Sequence, residues 1–417
     1  MNYPSEAQRK KALITVSTIF FMWGVLTCLN DILIPHLKAV FSLSYAQSAL
    51  IQFTFFGAYF IMSLPAGTLV SKLGYKNSIS AGLLVSAIGA FMFIPAAKVE
   101  SYGLFLCALF VLASGITVLQ VAANAYVTLL GPEETASSRL NLAQALNSLG
   151  TTVAPKIGGL FILSATVLTA DQIAGLGVAE QLAYKTQQAQ AVQGPYTVLG
   201  VILLLLAVGM YLLRLPNLKE EKNTDVKSTA TFADAFKHSN LSLGVIAMFL
   251  YVGAEVSIGS FLINFMAQSD IMGISESTAA GYVPFYWGGA LVGRFVGSFL
   301  MRKLNPAKML GACALVTTLL VAIAVSTSGP MAAWMLLAVG LFNSIMFPTI
   351  FSLGVRGLGA ATEKASSLLI MAIVGGAIIP LIQGVVADHV NLQHAFVLPL
   401  VCYVFISFYG FKEGRKT

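Results

Sequence analysis

Charge is what this sequence has least of. Asp, Glu, Lys and Arg make up 10% of its 417 residues, against about 25% in soluble domains. That scarcity excludes an ordinary soluble globular fold. Cysteine is also scarce: Cys28, Cys107, Cys313 and Cys402 stand singly in apolar stretches. They show no disulfide or metal spacing and read as small core residues. No phosphate loop, catalytic motif or metal cluster appears, so neither enzyme chemistry nor a cofactor is expected. The loops are too short for a nucleotide-hydrolysing domain, which excludes an ATP-driven pump. The lack of a sizeable soluble output domain argues against a non-transporting membrane sugar sensor.

Apolar length is what the chain has instead. It is 57% hydrophobic, with a mean hydropathy of +0.82. A membrane span needs about 20 mostly apolar residues. Spans are expected at 12–36, 45–71, 79–98, 102–130, 139–165 and 195–214. Six more follow at 240–267, 278–302, 307–327, 331–356, 365–387 and 394–411. The run after Arg9-Lys10-Lys11 is too long for a signal-peptide core and lacks a small-residue cleavage site, so it reads as the first span. Two halves are expected, 1–214 and 240–417, joined by a mixed-charge linker at 215–239 that is partly helical near Phe232–Phe236. The Gln- and Ala-rich stretch at 166–194 reads as a long outer loop with a short surface helix.

The basic residues give the orientation. With the N-terminus inside, 19 of the 24 Lys and Arg fall on the inner side and only Lys38, Lys98 and Lys185 outside. That bias predicts cytoplasmic N- and C-termini. It also accounts for the net charge of +7 through contact with anionic lipid rather than nucleic acid.

The halves repeat weakly. Ala136-Ser137-Ser138-Arg139-Leu140 opens the fifth span and Ala365-Ser366-Ser367-Leu368-Leu369 the eleventh. Gly67 to Lys72 closes the second span as Gly297 to Arg302 closes the eighth. Six helices plus six with such echoes favour two bundles around a midplane site.

Asp31 and Glu255 are carboxylates inside otherwise apolar spans. A lone acid at that depth costs on the order of 2.5–3.5 kcal/mol, so it usually faces a cavity and handles ions, protons or substrate. Amides are the other polar groups at depth: Asn30, Gln52, Gln120, Asn124, Gln144, Asn147, Asn343 and Gln383. An amide both donates and accepts hydrogen bonds, which suits the hydroxyls of a sugar. Gln144 and Asn147, three apart, share a helix face, as do Gln120 and Asn124. Trp23, Phe55, Tyr286 and Trp287 could supply a stacking face. Arg294 reads as a gate or contact between bundles. Lys156 either snorkels to the outer surface or pairs with Asp31.

Gly67-Thr68-Leu69-Val70-Ser71-Lys72-Leu73-Gly74-Tyr75-Lys76 resembles the loop 2–3 signature of the major facilitator superfamily, with Ser71 in place of its acid. A closer resemblance is to the L-fucose permease group, which includes bacterial glucose/galactose transporters. It is carried by Leu29-Asn30-Asp31-Ile32-Leu33-Ile34-Pro35, Ala122-Ala123-Asn124, Arg139-Leu140-Asn141-Leu142-Ala143-Gln144, Tyr251-Val252-Gly253-Ala254, Gly293-Arg294-Phe295 and Phe347 to Gly354. The resemblance implies an all-α fold of twelve transmembrane helices and cation-coupled sugar uptake in a bacterial inner membrane. It also implies that Asp31 is the coupling acid, with Trp23 on the same helix. Fucose permease has Glu where this chain has Gln120, and Gln where it has Glu255. That exchange puts a proton relay through the fourth helix in doubt and is more like the glucose/galactose branch.

The expectation is a monomeric symporter of a neutral hexose. Trp23, Asn30, Gln52, Gln120, Asn124, Gln144, Asn147, Glu255 and Asn343 line the sugar site. Asp31 and Glu255 handle the ion, with Na+ held at Asp31 and H+ as the alternative. A fucose–proton symporter is the alternative transport reading. An exporter of drugs or organic ions would instead want an acid-rich, amide-poor cavity.

Overall fold

The computed structural model describes the backbone of residues 5–41, 45–161, 172–173, 175–191, 193–213, 215–216 and 231–416. Within these, the side chains of 29–41, 45–49, 155–161, 185, 188–189 and 191 lie outside the description. The first half holds α1 (Glu6–Phe41), α2 (Tyr45–Leu73), α3 (Tyr75–Val99), α4 (Tyr102–Leu129), α5 (Ala136–Phe161) and α6 (Gln193–Leu212). The second holds α7 (Ser239–Ala267), α8 (Val283–Leu300) and α9 (Pro306–Ser326). Its tenth span is broken into α10 (Pro330–Asn343) and α11 (Met346–Val355). The eleventh is α12 (Thr362–Met371) and α13 (Gly375–His389), joined by a 3-10 turn at Ala372–Val374, and α14 (Val397–Glu413) is the twelfth.

Every expected span falls on helix. Among the described residues, ten helical stretches are long and apolar enough to cross a membrane. The exceptions are α5 and α8. The first carries Arg139, Asn141, Gln144 and Asn147, and the second carries Arg294. Their polarity has a use, since α5 and α8 pack against each other between the halves.

Local chemistry sets the helix ends. Asn305 caps α9, accepting from Ala307 N at 3.0 Å and Lys308 N at 3.1 Å, with Pro306 pre-set for the first turn. Between α2 and α3 the chain turns at Gly74 with φ 79°, a conformation that strains any residue with a Cβ. The expected helix in the linker is present at Phe232–Phe236, with Thr231 and Asp234 forming a capping box. A hydrogen bond from Lys237 and others from Thr231 hold the Asp234 carboxyl below the usual carboxylate range. The short surface helix of the outer loop is Val178–Ala191, with Val178 and Leu182 exposed.

Lipid is as apolar as leucine, so helices in it are held by close packing and hydrogen bonds rather than by hydrophobic burial. The two halves use the same device. At Gly24 on α1 a Cβ would collide with the Asn147 carbonyl on α5. At Gly375 on α13 a Cβ would collide with the Phe249 carbonyl on α7. The first span is thereby locked to the fifth, and the seventh to the eleventh. Phe60, Ile61, Leu205, Leu319 and Val401 point outward and are exposed, as a lipid-facing surface requires. The halves meet where α5 packs on α8 and α11, and where α12 packs on α2 and α4. These contacts gather at the end of the bundle where α1 begins.

Candidate functional site

Above that contact, each half presents a polar cluster. In the first half, Gln120 on α4 is almost fully buried and donates Nε2 to the Tyr59 hydroxyl on α2 at 2.6 Å. Gln144 on α5 donates Nε2 to Asn124 Oδ1 on α4 at 3.3 Å. Asn147 donates Nδ2 to the Phe20 carbonyl on α1 at 3.0 Å. Trp23 stands beside these groups, its ring 5.3 Å from that of Phe20. Its indole lies close to the Tyr59 hydroxyl without a well-formed hydrogen bond to it.

In the second half, Glu255 on α7 is partly buried. Its Oε1 accepts from the Tyr251 hydroxyl at 2.8 Å, one turn away on the same helix. The Asn343 carbonyl lies 3.2 Å from the same hydroxyl. Asn343 Nδ2 donates to the Tyr286 hydroxyl at 3.0 Å, and that hydroxyl donates to the Glu255 carbonyl at 3.3 Å. Tyr403 on α14 brings its hydroxyl near the Asn343 side chain.

Arg294 connects the clusters. Its Nε donates to the Ser344 carbonyl within its own half at 3.2 Å. Its Nη1 reaches across to the Gln144 carbonyl at 3.4 Å and to the Ser148 hydroxyl. Arg294 thus bonds to groups in both halves.

The clusters are incompletely satisfied. Trp23 Nε1, Gln120 Oε1, Asn124 Nδ2, Asn343 Oδ1 and the Tyr403 hydroxyl are buried with no hydrogen-bond partner among the described residues. Buried polar groups are normally paired, and leaving one unpaired costs about 1–3 kcal/mol. The five mix donors and acceptors. A ligand whose groups both donate and accept matches that mixture, whereas a fully ionised ligand does not.

Of the expected site residues, Trp23, Gln120, Asn124, Gln144 and Asn147 fall in one cluster, and Glu255 and Asn343 in the other. Gln52 is exposed on α2, on the same face as Tyr59 and two turns away. Asn30, Asp31 and Lys156 lie on the α1 and α5 backbones, and their side chains are outside the described residues. Sequence reasoning missed Tyr59, Tyr403 and the role of Tyr251. For Tyr251 a signal existed: a tyrosine four residues before a deep carboxylate shares its face, and a buried tyrosine hydroxyl needs a partner.

Comparison with known proteins accords with this architecture. Residues 13–379 match the profile of the Major Facilitator Superfamily. The chain is 53% identical over 405 residues to a glucose/galactose transporter of Brucella abortus biovar 1 (strain 9-941), covering 97% of this chain and 94% of that one. It is 38% identical over 406 residues to the L-fucose-proton symporter of Escherichia coli (strain K12), covering 96% and 92%. Its structure superposes on the crystal structure of the transporter FucP in the outward conformation with a TM-score of 0.90 at 35% identity, covering 97% and 99%. The chain belongs to the Major Facilitator Superfamily, a family of transporters rather than enzymes, and within it to the group that holds the glucose/galactose transporters and L-fucose–proton symporters.

Proposed function

We propose that this protein is a secondary active sugar transporter that carries a neutral hexose, glucose or galactose, together with a cation by alternating access. The observation that carries this reading is the set of five buried groups, unpaired among the described residues and divided between the clusters of the two halves. Sugar hydroxyls donate and accept at once, and the Trp23 ring offers an apolar face to the C–H side of a pyranose. The name of the relative at 53% identity supports glucose or galactose ahead of fucose. Both transport readings fit the same site, and the 38% identity to a fucose–proton symporter keeps fucose as the second.

The membrane is a bacterial inner membrane, with both termini cytoplasmic. The end where the halves meet is then the cytoplasmic end, and the likeness to an outward conformation fits a site open to the outside. Asp31 is the coupling acid by its place in the first span, with Glu255 the second acid at depth. Na+ is the coupling ion and H+ its alternative, and the protein works as a monomer.

Uptake of labelled glucose, galactose and fucose into proteoliposomes, under separate sodium and pH gradients, tests each element. Accumulation of glucose or galactose driven by sodium at equal pH is the expected result. Fucose accumulation driven only by the pH gradient assigns the fucose–proton reading. Preference for a hexuronate or amino acid over every neutral sugar sinks both.

A further inference from the structure

The weak sequence repeat between the fifth and eleventh spans has a structural counterpart. Ser137 and Ser138 open α5, and Ser366 and Ser367 lie in the first turns of α12. All four are buried, and all four bond across to the other half. Ser137 Oγ lies 2.6 Å from Ser352 Oγ on α11, and Ser138 Oγ donates to the Ser298 carbonyl on α8 at 2.5 Å. Ser366 Oγ donates to the Val121 carbonyl on α4 at 2.7 Å, and Ser367 Oγ to the Ser63 carbonyl on α2 at 2.7 Å.

Exchanging the halves converts one pairing of spans into the other, although the accepting atoms differ: Ser352 Oγ and the Ser298 carbonyl on one side, the Val121 and Ser63 carbonyls on the other. The fifth span takes the place of the eleventh, the tenth that of the fourth, and the eighth that of the second. Position for position, Ser137 corresponds to Ser366 and Ser138 to Ser367.

The surroundings tighten the contact. A Cβ at Gly67 would sit 2.6 Å from Ser367 Cβ, so α2 reaches α12 only because residue 67 has none. Gly67 opens the segment in which Ser71 replaces the acid of the loop signature. Charged groups add to the hydroxyls here: Glu133 Oε1 accepts from Gly357 N at 2.8 Å and Lys364 Nζ reaches Thr68 Oγ1 at 3.5 Å, both across the halves.

We infer that Ser137, Ser138, Ser366 and Ser367 are positioning residues that form a two-fold hydroxyl latch. Their bonds set the balance between the state described here and one open at this end. The inference depends on the alternating-access reading only for what the latch does in transport, and its test uses neither sugar nor ion.

The reporter is Ser298→Cys in a variant with the four native cysteines replaced. Residue 298 is buried, and only its carbonyl takes part in the latch. The rate at which a polar maleimide labels it in purified full-length protein reads opening at this end. Ser137→Ala with Ser138→Ala, and separately Ser366→Ala with Ser367→Ala, should each raise that rate about tenfold through the loss of two hydrogen bonds. The two pairs should act alike. Gly67→Ala, which wedges α2 from α12 and keeps every hydroxyl, should also raise it. Ser137→Cys with Ser352→Cys, once oxidised, should abolish labelling until reduced. A purely structural role would lower the melting temperature and leave labelling where it was. Unchanged labelling in both alanine pairs overturns the inference, as does fast labelling of the oxidised cysteine pair. Failure of every sugar in the uptake assay would leave these outcomes unaltered, so the two readings fail separately.

Discussion

Tyr251 donates its hydroxyl to Glu255 at 2.8 Å, one turn along the same helix, and the phenol is wholly buried while the carboxylate is only partly so. The tyrosine holds one of the acid's two oxygens, and the Arg294 guanidinium lies near the same carboxyl. Glu255→Gln keeps the shape but loses the charge, and Tyr251→Phe loses the donor. Hydrogen bonds to charged groups contribute about 1.5–3 kcal/mol. A double-mutant cycle on sugar affinity by calorimetry should return a coupling of about that size. Strict additivity would mean that the bond seen here has no part in binding.

Gln120 and Asn147 should separate by phenotype. Gln120 spends one amide hydrogen on Tyr59 and keeps an unpaired Oε1. Gln120→Ala should weaken sugar binding by about 1–3 kcal/mol with little change in melting temperature. Asn147 donates to the Phe20 carbonyl where α1 and α5 pack tightly. Asn147→Ala should therefore lower both affinity and melting temperature. Normal affinity in both variants would reduce these amides to struts between helices.

Asp31→Asn should abolish accumulation driven by an ion gradient while leaving some sugar exchange, because exchange need not move the cation alone. Counterflow and gradient-driven uptake, measured side by side in the same vesicles, make the distinction. Accumulation by the variant under either gradient would remove Asp31 from the coupling role.

Glu413 offers a test of stability away from the sugar site. It is wholly buried at the end of α14 and faces Arg356 at 3.5 Å and Lys416 at 2.6 Å. Lys416 continues to the Ser239 hydroxyl at the start of α7. Both cations are partly exposed, so Glu413→Ala should cost about 1–3 kcal/mol, less than breaking a fully buried pair. The melting temperature in detergent should fall, and Glu413→Gln should recover part of the loss.

The twelve spans were legible because bilayer thickness imposes one length on every crossing, and sequence carries length plainly. Even α5, too polar to pass as a span on hydropathy, could be placed from its neighbours and its amides. The helix break after Asn343 had a trace that sequence reasoning missed: Pro348 cannot donate to the Ser344 carbonyl four residues back, and Arg294 Nε donates to it instead. The turn after Met371 falls inside an apolar run and packs mainly against α7 of its own half. The site was partly legible. Gln120, Asn124, Gln144, Asn147, Glu255 and Arg294 stood out because each is polar where polarity is costly. Tyr59 and Tyr403 did not, because a tyrosine in an apolar helix looks like any other aromatic until its hydroxyl is seen among the amides, Tyr59 against Gln120 and Tyr403 near Asn343. Gln52, expected to line the sugar site, is exposed on α2, and hydropathy does not distinguish a cavity wall from a packed interior.

The seal formed by the four serines joins neutral groups only. Opening it shifts no net charge along the membrane normal, whereas one elementary charge crossing the field is worth about 2.3 kcal/mol per 100 mV. The resting potential therefore exerts no pull on these bonds. On the proposed coupling roles, a voltage-clamped measurement of charge movement would read Asp31 and Glu255, and Arg294 where it bridges the halves, rather than the serine bonds.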